Sequence, residues 1–293
     1  MQRRISATLA VALVTSPLAF AATHAPASAD GGAARAAGTQ TLLNASFDKL
    51  GAGRVSASEF RSTLGGTNSS ETAYDDSSVV ARGSGKAYRL TLEKNTFKGS
   101  PGNNGVNIFV PLDRKVDNAC ISYDVKFDER FDWDMGGKLP GLGGVRQGVS
   151  PGTPTGGGNP GDKGWSGRMM WLSPESFSWA GPTDQMVSYM YGPRQKDYYG
   201  DTVRWGKSFA AGKWHKVRMC YRMNTVGKAN GLLRAKLDGR RVLNITNHVY
   251  RTRNDVHISH LYWVVFRGGA TDTWAGERDS YIDFDNVRVT TRV

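Results

Sequence analysis

Short segments in which apolar and polar residues alternate recur through most of this 293-residue chain, and they constrain its fold more than any other feature. In segment 87–92 the alternation puts Tyr88, Leu90 and Leu92 on one face, as in a strand with one buried side. Folded sequence is expected to start at 41–47, and on this basis we predict strands at 87–92, 106–112, 119–127, 165–172, 186–191, 213–223, 232–237, 241–245, 257–266 and 281–289. No stretch carries sustained helical periodicity, so the chain is predicted to be all-β.

The number and length of these segments predict a single β-jelly roll over residues 41–293, a two-sheet antiparallel sandwich of the concanavalin-like kind. No repeat of fixed period indicates a propeller or a solenoid, and no linker divides the segment. Residues 30–40, rich in Ala and Gly, are predicted to be a disordered mature N-terminus.

The first 29 residues have the pattern of a secretory signal peptide. Arg3 and Arg4 precede an apolar run over 5–22, and Ala27, Ser28 and Ala29 form a small-residue cleavage site. The run is too short and too interrupted for a membrane span. We therefore expect a secreted, extracellular monomer with no membrane association.

The charge of the mature chain favours an anionic partner. The whole chain has a formal charge of +12, and losing the two signal arginines leaves +10. A basic exported protein suits polyanions such as an acidic polysaccharide. Nucleic acid is the weaker alternative, because the aromatic residues follow strand alternation and are not interleaved with a Lys/Arg stripe.

Cys120 and Cys220 are the only cysteines, and each lies in a predicted strand. In an oxidising compartment a disulfide between them is one interpretation, and it would add roughly 4 to 5 kcal/mol by restricting the unfolded chain. Two separate buried thiols are the other. No histidine stands at ligand spacing from either cysteine, which excludes a zinc site of ordinary pattern.

One cation lies within a glycine-rich stretch, Gly-Gly-Lys-Leu-Pro-Gly at 136–141. We interpret this stretch as a turn that presents Lys138 to a ligand, because glycine permits close approach and Pro140 stiffens the chain. The unpatterned Gly/Pro-rich segment 143–164 follows it and is predicted to be a long loop. That loop is either a surface insertion or a mobile rim over a site.

Two further pairs of polar residues share strand faces. Ser166 and Arg168 are two positions apart, as are Tyr189 and Tyr191, so each pair points to one side of its strand. If the two strands are neighbours, an Arg, a Ser and two phenols form one patch that Lys138 can join.

This set of side chains suits β-elimination in a uronic-acid polymer. Lys138 and Arg168 can neutralise the sugar carboxylate, which acidifies the C5 proton. A tyrosine beside cations can act as the base in its phenolate form, and the same or the second tyrosine can protonate the leaving oxygen. The spacing does not decide between Tyr189 and Tyr191.

Over about 104–293, the chain resembles polysaccharide lyase family 14, the alginate and polyuronate lyases, and more distantly the glucuronan lyases of family 20. The residues that carry the resemblance are the Lys138 stretch, Ser166-Gly167-Arg168 and Tyr189-Met190-Tyr191. It implies a β-jelly roll with its cleft across the concave sheet, and catalytic roles for Lys138, Arg168 and the two tyrosines. The sequence departs from the family at Gly143, where an aromatic residue is common, and in an expanded loop before Trp165.

We therefore expect a secreted lyase that cleaves a 1,4-linked polyuronate, alginate or glucuronan, by metal-independent β-elimination. The alternative from another class is a non-catalytic binding domain for acidic polysaccharides. Ser166, Asn107, Tyr198 and Tyr199 are the candidate substrate-binding residues. No cofactor is expected to be required, and Asp283 with Asp285 are candidates for a structural calcium site.

Overall fold

Fifteen strands, one short α-helix and two single-turn 3-10 helices make up the regular structure of the described residues, which are 38–65, 77–102, 104–173 and 186–291 of this computed structural model. The predicted signal peptide and residues 30–37 of the predicted N-terminal segment lie outside these ranges. In chain order the strands are β1 Thr41–Ala45, β2 Gly53–Arg54, β3 Ser77–Arg82, β4 Gly85–Leu92, β5 Gly105–Val116, β6 Asn118–Phe127, β7 Gly136–Val145, β8 Gly164–Leu172, β9 Met186–Tyr191, β10 Asp201–Arg204, β11 Trp214–Arg222, β12 Gly231–Leu237, β13 Arg240–His248, β14 Ile258–Arg267 and β15 Ser280–Thr290.

The strands form two antiparallel sheets. Among the described residues the nine-stranded sheet has the order β13-β12-β11-β6-β15-β4-β3-β2, with β1 also paired to β15. The six-stranded sheet has the order β10-β9-β8-β7-β14-β5. This arrangement confirms the predicted all-β jelly roll.

The core lies between the sheets and is filled by the apolar half of each alternating strand. In β8, Trp165, Met169 and Trp171 join the main apolar cluster, whereas the side chains between them, such as Arg168 and Met170, do not. We call the side of the six-stranded sheet turned away from the core the site face. Because the side-chain period is two, one strand supplies both the core and the site face.

The predicted turn around Lys138 is wrong, because residues 136–145 form a central strand. β7 pairs with β8 on one side and β14 on the other. A Cβ on Gly137 would lie 2.1 Å from the Trp171 ring, and one on Gly143 would lie 2.3 Å from the Tyr262 ring. The glycines therefore make room for rings that cross the strand on both faces, and the composition that indicated a loop instead reflects close packing.

The short helix α1, Ala57–Thr63, was not predicted. Ser56 and Glu59 form a capping box, and Phe60 packs on Phe47 and Tyr88. Seven residues with one buried side chain give no helical period to detect. Within the described ranges, no helix is long and apolar enough to cross a membrane.

The two cysteines form a disulfide between neighbouring strands. Cys120 of β6 lies directly opposite Cys220 of β11, and their sulfurs are bonded. This geometry decides for the disulfide over two separate thiols. The bond closes a 100-residue separation near the middle of the nine-stranded sheet.

Replacing both cysteines by Ser is expected to lower the free energy of unfolding by about 3–5 kcal/mol, because the unfolded chain regains the entropy of a long open loop. Urea unfolding measures the change. Wild-type protein unfolded in reductant is the matched control and should show the same loss. An unchanged midpoint in both experiments would contradict a stabilising disulfide.

Candidate active site

The site face brings together all five residues that the sequence singled out on β7, β8 and β9. Arg168 lies directly opposite Tyr189, and Ser166 lies opposite Tyr191. Lys138 is one strand away on β7, opposite Met170. The same-face prediction for both pairs is confirmed, and Lys138 joins them from a strand instead of a turn.

Short distances link the four candidate catalytic groups into one cluster. The Nζ of Lys138 lies 4.9 Å from the centre of the Tyr189 ring. The guanidinium carbon of Arg168 lies 5.5 Å from the ring centres of both tyrosines. The phenol oxygens of Tyr189 and Tyr191 are 3.4 Å apart, and the Gly200 amide donates to Tyr189 at 3.1 Å.

Both cations are buried, with relative exposures of 8% for Lys138 and 1% for Arg168. Lys138 donates to the Gly268 carbonyl at 2.9 Å, and Arg168 donates to the Thr155 carbonyl at 3.3 Å. Among the described residues neither has a carboxylate within ion-pair distance, and the Nε of Arg168 is buried without a hydrogen-bond partner. Since buried charges are normally paired, this arrangement is that of a receptor for an anion.

Burial and the nearby charges of Arg168 and Lys98 lower the pKa of Lys138 well below its ordinary value. The side chain of Lys138 therefore loses its proton more easily than that of a solvated lysine.

Burial also raises the pKa of Tyr189, and the neighbouring Tyr191 adds to the increase. Arg168 opposes this shift but does not overcome it. The sequence-based expectation that neighbouring cations would favour a phenolate therefore fails at Tyr189, because the loss of solvation outweighs their charge. Tyr189 holds its proton in the resting site.

Three residues around Lys138 were not predicted. Its Nζ lies 5.2 Å from the ring centre of Trp274 and 5.8 Å from that of Phe266. The Nζ of Lys98 lies 5.3 Å from the same Phe266 ring, which makes Lys98 a third cation of the site. Lys98 precedes β5 in an irregular segment, so no periodicity related it to the other residues.

The Gly/Pro-rich loop, 146–163 in the structure, covers the site face. Three of its carbonyls accept hydrogen bonds from site-face side chains: Pro151 from Tyr262 at 2.7 Å, Pro154 from Ser166 at 2.5 Å and Thr155 from Arg168 at 3.3 Å. Of the two interpretations of this loop, the rim over a site is the one that the structure supports.

The far end of the loop is tied to the segment after β9. Gln195 donates to the Gly158 carbonyl at 3.3 Å and to the Tyr198 carbonyl at 3.0 Å, and Asn159 donates to the Gln195 carbonyl at 3.0 Å. The exposed Tyr198 ring lies against Gly157. Two covering segments therefore support each other.

The remaining predicted substrate-binding residues lie outside the central cluster. Asn107 is on β5, across β14 from Lys138, and its Oδ1 is buried without a hydrogen-bond partner. Tyr198 and Tyr199 are 65% and 66% exposed. Their roles in binding remain predictions.

The candidate calcium ligands are engaged by cationic side chains. Asp283 pairs with Arg89 at 2.7 Å and with Lys126 at 3.3 Å, and Asp285 pairs with Arg82 at 2.6 Å. Among the described residues no group of three or more His, Cys, Asp or Glu side chains is arranged to hold a metal. The protein's own cations therefore neutralise both aspartates, and a calcium site at these residues stays a prediction.

Comparison with known proteins gives a family match and several similar structures. The family model described as Polysaccharide lyase 14 matches residues 81–287. A comparison with curated proteins found no match.

The similar structures include alginate lyases. The marine alginate lyase of Aplysia kurodai, described as PL-14, is 25% identical with a TM-score of 0.72, over 86% of this chain and 99% of that one. Alginate lyase Aly36B is 26% identical with a TM-score of 0.68, over 86% and 96%. A double mutant of Aly36B in complex with an alginate trisaccharide is 25% identical with a TM-score of 0.70, over 86% and 98%.

The buried charge of Arg168, which has no carboxylate partner among the described residues, is expected to destabilise the folded protein. Replacing Arg168 by Met removes a buried cation that has no carboxylate, so the free energy of unfolding is expected to rise by about 1–2 kcal/mol. The matched control is Arg82→Met, which leaves the carboxylates of Asp124 and Asp285 without this partner. This variant should lower the free energy of unfolding by about 2–3 kcal/mol. Urea unfolding measures both, and a loss of stability in Arg168→Met as large as in Arg82→Met would contradict the assignment.

Proposed function

This chain belongs to the polysaccharide lyase 14 family, and we propose that its substrate is a 1,4-linked polyuronate, alginate in particular. The enzyme is a polysaccharide lyase. The choice of alginate is supported by the similar structures, two of which hold alginate oligosaccharides.

One observation carries the proposal: two buried cations with no described carboxylate partner lie against two tyrosines whose oxygens are 3.4 Å apart. A uronate carboxylate supplies the missing anion. The phenols lie beside the cations that would hold this carboxylate, and so they can serve proton transfer on the same sugar.

The elimination divides into a proton removal and a bond cleavage. Arg168, which stays charged, binds the C5 carboxylate and stabilises the negative charge that develops when the C5 proton leaves. The electron pair forms the C4–C5 double bond, and the C4–O bond to the leaving sugar breaks. A proton from the enzyme neutralises the leaving oxygen, so the products are an unsaturated uronate and a new chain end.

The pKa directions support Tyr189 as the proton donor. Tyr189 keeps its proton at rest and is suited to protonate the leaving oxygen. The base is then Tyr191 or the amine of Lys138, whose pKa burial lowers. If Tyr191 is the base, Lys138 stays charged and binds the substrate carboxylate together with Arg168.

The covering loop imposes a step before chemistry. The Thr155 carbonyl accepts a hydrogen bond from the Arg168 guanidinium at 3.3 Å, and the Pro154 carbonyl accepts one from the Ser166 hydroxyl. A bound carboxylate replaces the Thr155 contact with a stronger, charge-assisted one. We therefore propose that substrate displaces this part of loop 146–163.

We further propose that the enzyme is secreted. The proposal is supported by the signal-peptide pattern of residues 1–29 and by the Cys120–Cys220 disulfide, since such bonds persist in oxidising compartments.

Incubation with polymannuronate, polyguluronate and glucuronan, while following the absorbance of unsaturated uronate, tests the substrate. Absorbance is expected to rise with alginate, and Arg168→Ala should lower kcat/KM by about 100- to 1,000-fold because the developing charge loses its partner. Arg130→Ala, at an exposed arginine between β6 and β7, is the control and should leave the rate unchanged. No rise with any acidic polymer would refute the proposal.

Phenylalanine variants test the two phenols. Tyr189→Phe is expected to lower kcat by about 100- to 10,000-fold with little change in KM, since only proton transfer is removed. Tyr191→Phe should cause a loss of the same size if Tyr191 is the base and a much smaller one if the amine of Lys138 is. Tyr281→Phe, on the nine-stranded sheet, is the control. Exchange of the C5 proton in D2O separates the roles, because a variant that lacks only the acid still exchanges it. An unchanged kcat in both site variants would rule out Tyr189 and Tyr191 as proton-transfer groups.

A further inference from the structure

A row of cations crosses the nine-stranded sheet on its outer face, the face away from the core. Arg241 of β13 lies opposite Lys236 of β12, and Lys236 lies opposite Arg218 of β11. Arg218 lies opposite Ser122 of β6, which in turn lies opposite Arg288 of β15. Directly opposed residues share a face, so these five positions form one line across five strands. We call this line the basic row.

The side chains of the basic row are accessible. Lys236, Arg241 and Arg288 are exposed, and Arg218 is partly exposed. Among the described residues no carboxylate lies within ion-pair distance of Lys236, Arg241 or Arg288. Arg288 donates to the Thr41 hydroxyl at 2.9 Å, which leaves its charge uncompensated.

The rest of the outer face is built differently. Asp124 and Asp285, also opposite each other on β6 and β15, share Arg82 at 2.7 and 2.6 Å. Asp283 is likewise paired with Arg89 at 2.7 Å. Acidic residues thus neutralise the cations at one end of the strands, whereas Lys236, Arg241 and Arg288 of the basic row have no carboxylate partner among the described residues.

Opposed like charges destabilise a sheet, so a row of them has a cost to the fold. Partial burial and, to a smaller extent, the charge of Arg288 lower the pKa of Arg218. Arg234, on the same face of β12, and Arg222, two positions beyond Arg218 on β11, extend the positive field. A linear polyanion lying across the strands would relieve this repulsion at several points at once.

We propose that the basic row is a second binding site, separate from the active site, for a linear acidic polysaccharide. Neighbouring strands are about 4.8 Å apart, so the row offers cations at steps of roughly 5 to 10 Å along a straight line. A polyuronate presents carboxylates in a comparable linear repeat. No aromatic side chain belongs to the row, and so it lacks the stacking platforms that single-stranded nucleic acid uses.

The inference rests on the proposed function only for the identity of the polymer. Binding outside the cleft keeps the polymer near the enzyme between cleavages, because a second contact raises the effective concentration of the chain. The basic row therefore favours long substrates and has no effect on oligomers too short to reach it.

Retention during electrophoresis through gels that contain sodium alginate tests the proposal. Arg168→Ala provides the background, since it removes the anion contact of the active site while the full chain is retained. This variant is expected to stay retarded, and adding Lys236→Glu and Arg241→Glu should abolish most of the retardation. The slope of log Kobs against log salt should fall by up to about one for each cation removed.

The matched control adds Lys49→Glu and Arg130→Glu, two exposed cations off the row, to the same background with the same change in net charge. An equal loss of retardation in the row variant and in this control would overturn the proposal. A complete loss of retardation in Arg168→Ala alone would overturn it as well. Equal salt-resistant retention in gels that contain DNA would overturn the assignment to polysaccharide. Row-dependent retention in a protein that cleaves no uronate would support the basic row and refute the proposed function, so the two failures are distinguishable.

Discussion

The packing of aromatic rings across a glycine strand is the interaction on which the rest of the site depends. β7 runs through the middle of the six-stranded sheet, with Trp171 over Gly137 on the core side and Tyr262 over Gly143 on the site face. Side chains at either glycine would push the rings away. Because the strand is nearly bare, Lys138 is the long side chain that it contributes to the site face, and it lies among the side chains of β8, β9 and β14.

Electrostatics divides the molecule into two unlike faces. On the site face, Lys138 and Arg168 are buried beside each other, so desolvation and repulsion both act against their charge. Backbone carbonyls of Gly268 and Thr155 satisfy them only in part. Such a site is destabilising in the resting protein and becomes favourable when an anion enters, which is the arrangement that a carboxylate-binding enzyme requires. The outer face repeats the excess of cations, but with exposed side chains.

Much of the site could be predicted because it obeys the period of a strand. Ser166 with Arg168, and Tyr189 with Tyr191, are two positions apart, and alternation alone puts each pair on one face. Lys138 was found for the wrong reason, since its glycines were interpreted as a turn. Lys98 was missed because it lies in an irregular segment, where sequence spacing carries no information about direction. The hydrogen bonds from the site face to Pro151, Pro154 and Thr155 were likewise invisible, because a carbonyl has no sequence signature.

The sequence by itself determined the all-β class, the strands that carry the chemistry and the pairs that share a face, because these follow from local alternation. Tertiary structure decided which strands are neighbours and therefore which charges meet. It joined Cys120 to Cys220 and buried Lys138 beside Arg168. It also raised the pKa of Tyr189, because desolvation and through-space charge depend on distances that the chain order does not encode. The same strand pairing aligned Arg241, Lys236, Arg218 and Arg288 from four separate strands.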